Sequence, residues 1–171
     1  MVYHADYSNT KGLTKEETLQ HILDSFETLK TKNWVTNLSN LSSLLWHSYH
    51  SLGIKVNWTG FYTIDESINN NNNELVLAPF QGKVACQTIK IGNGVCGTCA
   101  FTKLTQLVPN VEEFPGHIAC DGDTKSEIVV PILKNNKIWG VIDLDCEELN
   151  GFDEIDQLYL EKLAESISKS L

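Results

Sequence analysis

A short turn between two apolar segments constrains this fold most strongly. Residues 127–133 and 137–144 are rich in β-branched and aliphatic side chains, which predicts two strands, and only residues 134–136 separate them. Three residues are too few for the crossover that parallel strands require, so the two strands must pair antiparallel. Residues 56–64 and 74–80 predict a second strand pair, with a solvated loop of five asparagines between them. The chain therefore predicts an antiparallel sheet.

Helical patterns at both ends of the chain predict the layers that cover this sheet. The segment 14–17 (TKEE) is typical of a capping box that opens a helix, and a second helix is predicted from about Asn33. Asp153 is predicted to cap a last helix. The residues of that helix predicted to face inward are Ile155, Tyr159, Leu163 and Ile167. We predict an α/β (α+β) fold, with a flexible N-terminal arm over residues 1–13 and a single domain over 14–171.

The charge composition excludes several classes of partner. The chain has 13 lysines, no arginine and a formal net charge of −9. Nucleic acids and anionic membranes bind clustered Lys and Arg, so we expect neither as a partner. Without a guanidinium, the anionic group of a small ligand must be held by Lys, polar side chains or backbone N–H groups. No apolar run reaches the roughly 20 residues that span a bilayer, and the N-terminus lacks a signal pattern. We therefore expect a cytoplasmic location, and a nuclear location in addition remains open.

The five cysteines are candidates for chemistry, because a reducing compartment disfavours a structural disulfide framework. Cys120 lies in the long polar segment 109–124, where access favours a reactive thiol. Cys86 lies in a strand-like segment, where burial as a small hydrophobe would explain it. The C-x-x-C at 96–99 is a redox pair, half of a metal site or a coincidence. A zinc site would take Cys96, Cys99, Cys120 and His117, although the second pair lacks a tight spacing.

Two carboxylates interrupt the last predicted strand. Asp143 and Asp145 lie within the apolar run 139–145, and strand alternation places both on one face. Carboxylates on one face of a strand are costly unless they are solvated, paired or bound to a cation. This pattern predicts a functional site on that face of the sheet.

Six motifs occur in order along the chain: NWTGFY at 57–62, GKVAC at 82–86, GVCGT at 94–98, PGHIACD at 115–121, TKSEIVVP at 124–131 and GVIDLD at 140–145. Together they resemble the free methionine-(R)-sulfoxide reductase family, a catalytic branch of the GAF-domain superfamily. The similarity extends from about residue 14 to 168. It implies a single GAF domain, with a central antiparallel sheet and flanking helices.

The resemblance also implies roles for individual residues. Cys120 is implied to attack the sulfoxide and Cys86 to resolve the product by disulfide formation, while Cys96 remains a rival for either role. The implied substrate-binding residues are the carboxylates Glu127, Asp143 and Asp145 and the aromatic residues Trp58 and Tyr62. Cys99 departs from the family pattern, which has a small residue there, so the C-x-x-C is either incidental or supplies an extra disulfide partner.

A thiol mechanism follows from this resemblance. A thiolate removes the sulfoxide oxygen as a sulfenic acid, and a second thiol condenses with that acid to give a disulfide and water. The resemblance implies free methionine sulfoxide as substrate and thioredoxin as the external reductant, without a metal or an organic cofactor, and leaves a homodimer open. Because clustered carboxylates raise one another's pKa, we expect at least one to be protonated and to donate to the sulfoxide oxygen.

Two other functions remain open at the level of sequence. One is a non-catalytic GAF module that binds a small ligand such as a cyclic nucleotide. The absence of arginine and the three motif cysteines argue against it. The other is a zinc-binding structural protein, which metal analysis would separate from both.

Overall fold

The fold is a single antiparallel sheet covered by helices on one face and by a helix and loops on the other. The computed structural model describes residues 6–64, 73–117 and 121–171. The strands are β1 (Val56–Thr63), β2 (Glu74–Gly82), β3 (Thr88–Lys90), β4 (Gln106–Val108), β5 (Ser126–Lys134) and β6 (Lys137–Cys146). They pair antiparallel in the order β3-β2-β1-β6-β5-β4. The predicted antiparallel sheet is therefore confirmed.

The β5–β6 hairpin that the sequence predicted is central to the sheet. Its turn residues Asn135 and Asn136 have φ angles of 52° and 60°. Asparagine tolerates this left-handed region better than most side chains, which suits it to a tight hairpin turn. The predicted loop of asparagines between β1 and β2 lies mostly outside the described residues.

The described residues form four α-helices, and the start points of three of them were predicted. The helices are α1 (Lys15–Leu29), α2 (Trp34–Ser51), α3 (Gly94–Thr102) and α4 (Glu154–Ser170). Thr14 closes a capping box with Glu17, the Asn33 side chain accepts from the backbone N–H of Thr36, and Asp153 closes a second capping box with Asp156. None of the helices in the described part of the chain is long and apolar enough to cross a membrane.

Two of the four residues predicted to face inward on α4, Leu163 and Ile167, are buried, so the predicted inward face is confirmed in part. Ile155 is exposed and Tyr159 is only partly buried. The residues that face the core are Asp156, Leu160, Leu163, Ala164 and Ile167. Near the start of α4 the inward position belongs to Asp156, which accepts hydrogen bonds from Tyr49 and Lys15.

Strand alternation separates two apolar cores. Phe61, Ile142 and Leu144 point to one face and pack under α1, α2 and α4. Trp58 and Tyr62 point to the other face, where α3 packs against β5 and β6. The layer of three helices covers only the first face, so the second face has room for a cleft beside α3.

The segment before α1 contacts the domain. Tyr7 packs against the core under the three helices, its carbonyl oxygen lies 2.7 Å from Nε2 of His21, and Thr10 is buried. The predicted boundary between an arm at 1–13 and a catalytic domain at 14–171 stays a prediction, and residues 1–5 lie outside the described part of the chain.

Candidate active site

A cleft of about 570 Å³ opens on the α3 face of the sheet. It brings together six of the eight site residues that the sequence predicted. Lining it are Trp58, Tyr62, Cys96, Glu127, Asp143 and Asp145, together with Ala85 next to Cys86. Cys120 lies outside the described residues.

Aromatic side chains form one wall of the cleft. Trp58 stacks on Tyr62, with ring centroids 5.7 Å apart, and on Phe80, with centroids 5.2 Å apart. The Trp58 Nε1 donates to the carbonyl oxygen of Lys83 at 3.2 Å, and the Tyr62 hydroxyl donates to the carbonyl oxygen of Cys86 at 3.1 Å. Both rings therefore have fixed orientations and hold the loop that carries Cys86 against the cleft.

Three carboxylates lie beside these aromatic side chains on the same face of the sheet, where Asp145 pairs directly with Trp58. Glu127 on β5 pairs directly with Asp145 on β6, and Asp143 lies two residues from Asp145 on the same face. Glu127 and Asp143 are each 6% exposed, and Asp145 is partly exposed. Oδ1 of Asp143 is buried without a hydrogen-bond partner among the described residues. Buried polar atoms are normally satisfied, so this oxygen marks a place for a ligand.

A β-bulge decides that Glu127 faces this cleft. The β5–β6 register shifts between Ile132 and Leu133, close to the turn. Without the shift, Glu127 would pair with Leu144 and point to the helical face, because a one-residue slip reverses every side chain. The shift places its carboxylate beside Asp145 instead.

Burial and mutual repulsion make these carboxylates hard to ionise. Burial raises the pKa of Asp143 to about 7, although the hydrogen bond from Cys96 acts in the opposite direction. Burial, Asp143 and Asp145 raise the pKa of Glu127 well above its usual range. Burial and Asp143 also raise the pKa of Asp145. The cluster therefore holds protons near neutral pH, as the sequence predicted for at least one of its members.

Cys96 is a thiol inside this acidic cluster. Its Sγ donates to Oδ2 of Asp143 at 3.2 Å, and the residue is 4% exposed. Burial, Asp143 and Glu127 raise the pKa of the Cys96 thiol well above its usual range. The position favours the neutral thiol, which is a poor nucleophile.

The remaining described cysteines occupy different environments. The strand-like segment predicted around Cys86 forms a strand only from Thr88, and Cys86 itself lies half-buried in the loop between β2 and β3. It is disulfide-bonded in this structure, whereas Cys96, Cys99 and Cys146 are free thiols. Cys99 is fully buried on α3, 3.5 Å from the carbonyl oxygen of Val129. Cys99 therefore has no access to the cleft. This favours the interpretation that the C-x-x-C spacing of Cys96 and Cys99 is incidental.

The N-terminus of α3 lines the floor of the cleft. Its N-cap residue, Asn93, makes no side-chain capping hydrogen bond, and residues 93–96 contact the cleft. The first backbone N–H groups of a helix have no partner within the helix and carry partial positive charge. They are suited to hold an anionic group of a ligand.

Polar contacts tie the chain after Cys120 to the rest of the cleft. The Asn57 side chain donates to Asp121 at 3.2 Å and to Thr124 at 2.9 Å. Lys83 forms ion pairs with Asp121 at 3.3 Å and with Asp123 at 2.6 Å. These contacts place residue 121 beside the loop that carries Cys86.

Four residues around the cleft were not predicted from the sequence: Asn57, Phe80, Lys83 and His117, the last considered only as a zinc ligand. One signal pointed to Phe80. Gly60 interrupts the aromatic strand β1, and a Cβ there would lie 2.4 Å from Cβ of Phe80 and 2.7 Å from the Trp58 ring. A glycine inside a strand often marks such a close approach.

Comparison with known proteins identifies the family of this chain. The GAF domain family matches residues 41–171. The free methionine-R-sulfoxide reductase of Saccharomyces cerevisiae is 57% identical over 98% of this chain and 94% of its own length. A solved structure of a GAF domain superimposes with a TM-score of 0.93 at 57% identity, covering 99% of this chain and 96% of the other. The chain belongs to the free methionine-(R)-sulfoxide reductase family.

A ligand-bound member of this family matches across nearly its full length. The free methionine-R-sulfoxide reductase of Neisseria meningitidis, solved in complex with its substrate, superimposes with a TM-score of 0.81 at 38% identity. The match covers 95% of this chain and 93% of that one. The single GAF domain implied by the sequence motifs is thus confirmed, while the roles of the individual cysteines and carboxylates stay predictions.

Proposed function

We propose that this protein reduces free L-methionine (R)-sulfoxide to methionine with its own cysteines. One observation carries the proposal: a buried, partly protonated carboxylate cluster with an unsatisfied oxygen on Asp143 faces a stacked aromatic wall. The ammonium group of a free amino acid matches the carboxylate cluster, and the methyl and methylene groups around a sulfoxide match the aromatic wall. The names of the yeast and Neisseria relatives support the same substrate.

The proposed chemistry uses two thiols and releases water. Cys120 attacks the sulfoxide sulfur, the S–O bond breaks, and the products are methionine and a sulfenic acid on Cys120. Cys86 then attacks that sulfenic acid, giving a disulfide and one water molecule. The sulfoxide is reduced by two electrons, which come from the two thiols as they form the disulfide.

The state of the cysteines supports this assignment. Cys86 lies half-buried at the cleft and is disulfide-bonded here, so it is in a position to take part in disulfide chemistry. Cys96 is buried, and its pKa is raised by burial and by Asp143, so its thiolate is disfavoured. We therefore assign attack to Cys120 and resolution to Cys86, with Cys96 as the third thiol.

The carboxylates are proposed to divide two tasks. Glu127, whose pKa is raised most clearly by burial and neighbouring charge, stays protonated and donates a hydrogen bond to the departing oxygen. Asp143 ionises when the substrate ammonium arrives, because an opposite charge at its free oxygen lowers its pKa. The substrate carboxylate binds the N-terminal N–H groups of α3.

The first test is single turnover with cysteine variants. Cys120→Ser should release no methionine, and Cys86→Ser should release one equivalent while accumulating a sulfenic acid that dimedone traps. Cys146→Ser, which alters a buried cysteine outside the cleft, is the matched control and should behave like the wild type. Normal single turnover by Cys120→Ser would transfer the attack to another thiol.

The second test concerns the free amino acid. An N-acetylated or peptide-bound sulfoxide lacks the ammonium, so ionised Asp143 would be buried without its partner. We expect kcat/KM for these substrates to fall a hundredfold or more, the equivalent of about 3 kcal/mol. The free S epimer serves as the control for handedness. Equal turnover of free and peptide-bound substrate would contradict the carboxylate clamp.

The reductant is proposed to be thioredoxin, which would attack the Cys86–Cys120 disulfide. Turnover coupled to thioredoxin, thioredoxin reductase and NADPH measures this step directly. Multiple turnovers with a chemical dithiol but none with thioredoxin would leave the reductase activity intact and exclude thioredoxin as the reductant.

A further inference from the structure

The acidic cluster and Cys96 form a compact set of metal-type donor atoms. The Sγ of Cys96 and one carboxylate oxygen each from Glu127 and Asp143 all lie within 4.8 Å of one another. The Cys96 Sγ and Asp143 Oδ2 are 3.2 Å apart. Donor atoms bound at about 2.0–2.3 Å to one tetrahedral Zn²⁺ lie about 3.5 Å apart, so the set needs only a small contraction around an ion.

A second, independent feature points to a ligand at the same place. Asp143 is 94% buried, and its Oδ1 has no hydrogen-bond partner among the described residues, although the residue lines the cleft. His117 lies at the edge of the set, with Nε2 3.9 Å from Oε2 of Glu127. A neutral imidazole is a common metal ligand, so the position of His117 suits it to complete the set.

The donor types select the class of ion. A thiolate with two carboxylates, and an imidazole beside them, suits a borderline or soft cation such as Zn²⁺ or Cd²⁺. Mg²⁺ and Ca²⁺ prefer oxygen ligands alone and higher coordination numbers. An ionised triad would carry three negative charges, which a divalent cation largely neutralises.

We propose that this cluster is a binding site for a thiophilic divalent cation, with Zn²⁺ bound by Cys96, Glu127 and Asp143 and with its remaining position open to His117 or water. On binding, Zn²⁺ displaces the Cys96 proton to solvent. The ion and the substrate ammonium occupy the same carboxylates, so, given the proposed function, zinc inhibits the enzyme competitively. This zinc is an exogenous ligand, distinct from the zinc site considered from the sequence, which included Cys99.

Spectroscopic titration with Co²⁺ tests the site without any turnover. The titration uses the Cys86→Ser, Cys120→Ser double variant, in which Cys96 is the one remaining thiol that lines the cleft among the described residues. We expect one Co²⁺ per chain, with a thiolate-to-Co²⁺ charge-transfer band, and displacement by Zn²⁺ but not by Mg²⁺. Adding Cys96→Ser should abolish the charge-transfer band, and adding Asp143→Asn should weaken binding at least tenfold.

Cys99→Ser is the matched control, because Cys99 shares the C-x-x-C but is buried away from the cleft. It should leave the Co²⁺ spectrum unchanged. A band that survives Cys96→Ser, or a failure of the parent protein to bind one ion, would overturn the proposal. In the wild type, Zn²⁺ should also slow alkylation of Cys96, and this measurement decides the case if the variants do not fold.

Competition separates this proposal from the proposed function. Free methionine should raise the apparent dissociation constant for Co²⁺ if both occupy the carboxylates. Co²⁺ binding in a protein without reductase activity would refute only the proposed function. Reductase activity in a protein that binds no Co²⁺ would refute only the metal site.

Discussion

At the scale of the residue, Asp143 is the side chain where function and stability conflict. It lies at the centre of the sheet, paired in register with Gly60 and Val129, and its side chain has one buried oxygen without a hydrogen-bond partner among the described residues. Burial raises its pKa to about 7, so the folded protein resists the charge that the substrate ammonium needs. A ligand that supplies positive charge would remove this cost.

Asp143→Asn should therefore stabilise the substrate-free protein at alkaline pH. A folded-state pKa raised above the unfolded value near 3.8 costs stability as pH rises from about 4 through 7, and the full cost is present above 7. We expect the variant to gain on the order of 4 kcal/mol at pH 8 and little at pH 4. Urea unfolding at both pH values measures the difference.

The control for this prediction is Asp24→Asn, which alters an exposed carboxylate on α1. Its effect on the free energy of unfolding should stay within about 0.5 kcal/mol at both pH values. If Asp143→Asn instead destabilised the protein equally at pH 4 and pH 8, its carboxylate would be a structural hydrogen-bonding group and not a charged one.

At the scale of the element, α3 reaches the cleft because one of its residues lacks a side chain. A Cβ on Gly97 would lie 2.3 Å from the carbonyl oxygen of Lys90 at the end of β3. The backbone N–H of Gly92 also donates to the carbonyl oxygen of Gly97 at 2.8 Å. This close approach holds Cys96 over the sheet and within reach of Asp143.

Gly97→Ala should push α3 away from β3. Because the clash is with backbone, which cannot rotate aside, we expect a loss of about 2 kcal/mol in the free energy of unfolding. Binding of methionine sulfoxide should weaken as well, since the N-terminus of α3 lines the cleft. Denaturant unfolding and calorimetric titration measure the two effects.

Phe101→Ala on the same helix provides the comparison. Phe101 is 72% exposed, so its truncation should change the free energy of unfolding by about 0.5 kcal/mol or less. Equal losses from both substitutions would mean that the packing of α3 is insensitive to the Gly97 contact.

At the scale of the whole molecule, stability and chemistry lie on opposite faces of the sheet. The larger core lies under α1, α2 and α4, and a polar network joins the ends of those helices. Asp156 on α4 accepts from the Tyr49 hydroxyl at 2.8 Å and pairs with Lys15 at 2.5 Å. No residue of this network lines the cleft.

Asp156→Asn should destabilise the protein without changing its chemistry. Asn cannot form an ion pair with Lys15, which would keep only its contact with the half-exposed Asp153, so the loss should cost about 2 kcal/mol. At a temperature where the variant stays folded, kcat should match that of the wild type. The exposed neighbour Glu154→Gln is the control for both measurements. A fall in kcat with normal folding would show that the two faces are energetically coupled.

The sequence by itself determined the elements and the family. Thr14, Asn33 and Asp153 predicted helix starts because capping depends on neighbouring residues alone. The short turn before Lys137 dictated an antiparallel hairpin, and the two-residue period placed Asp143 beside Asp145. The ordered motifs identified the GAF family that the comparisons confirm.

Tertiary structure alone decided how the site is assembled. The bulge near Leu133 turns Glu127 into the cleft, although the uninterrupted register of the same hairpin would point it to the helices. The contact of Gly97 with β3 brings the Cys96 thiol to Asp143, and a hydrogen bond from Tyr49 holds Asp156 in a buried position at the start of α4. Each of these outcomes depends on partners distant in the chain, which local periodicity does not encode.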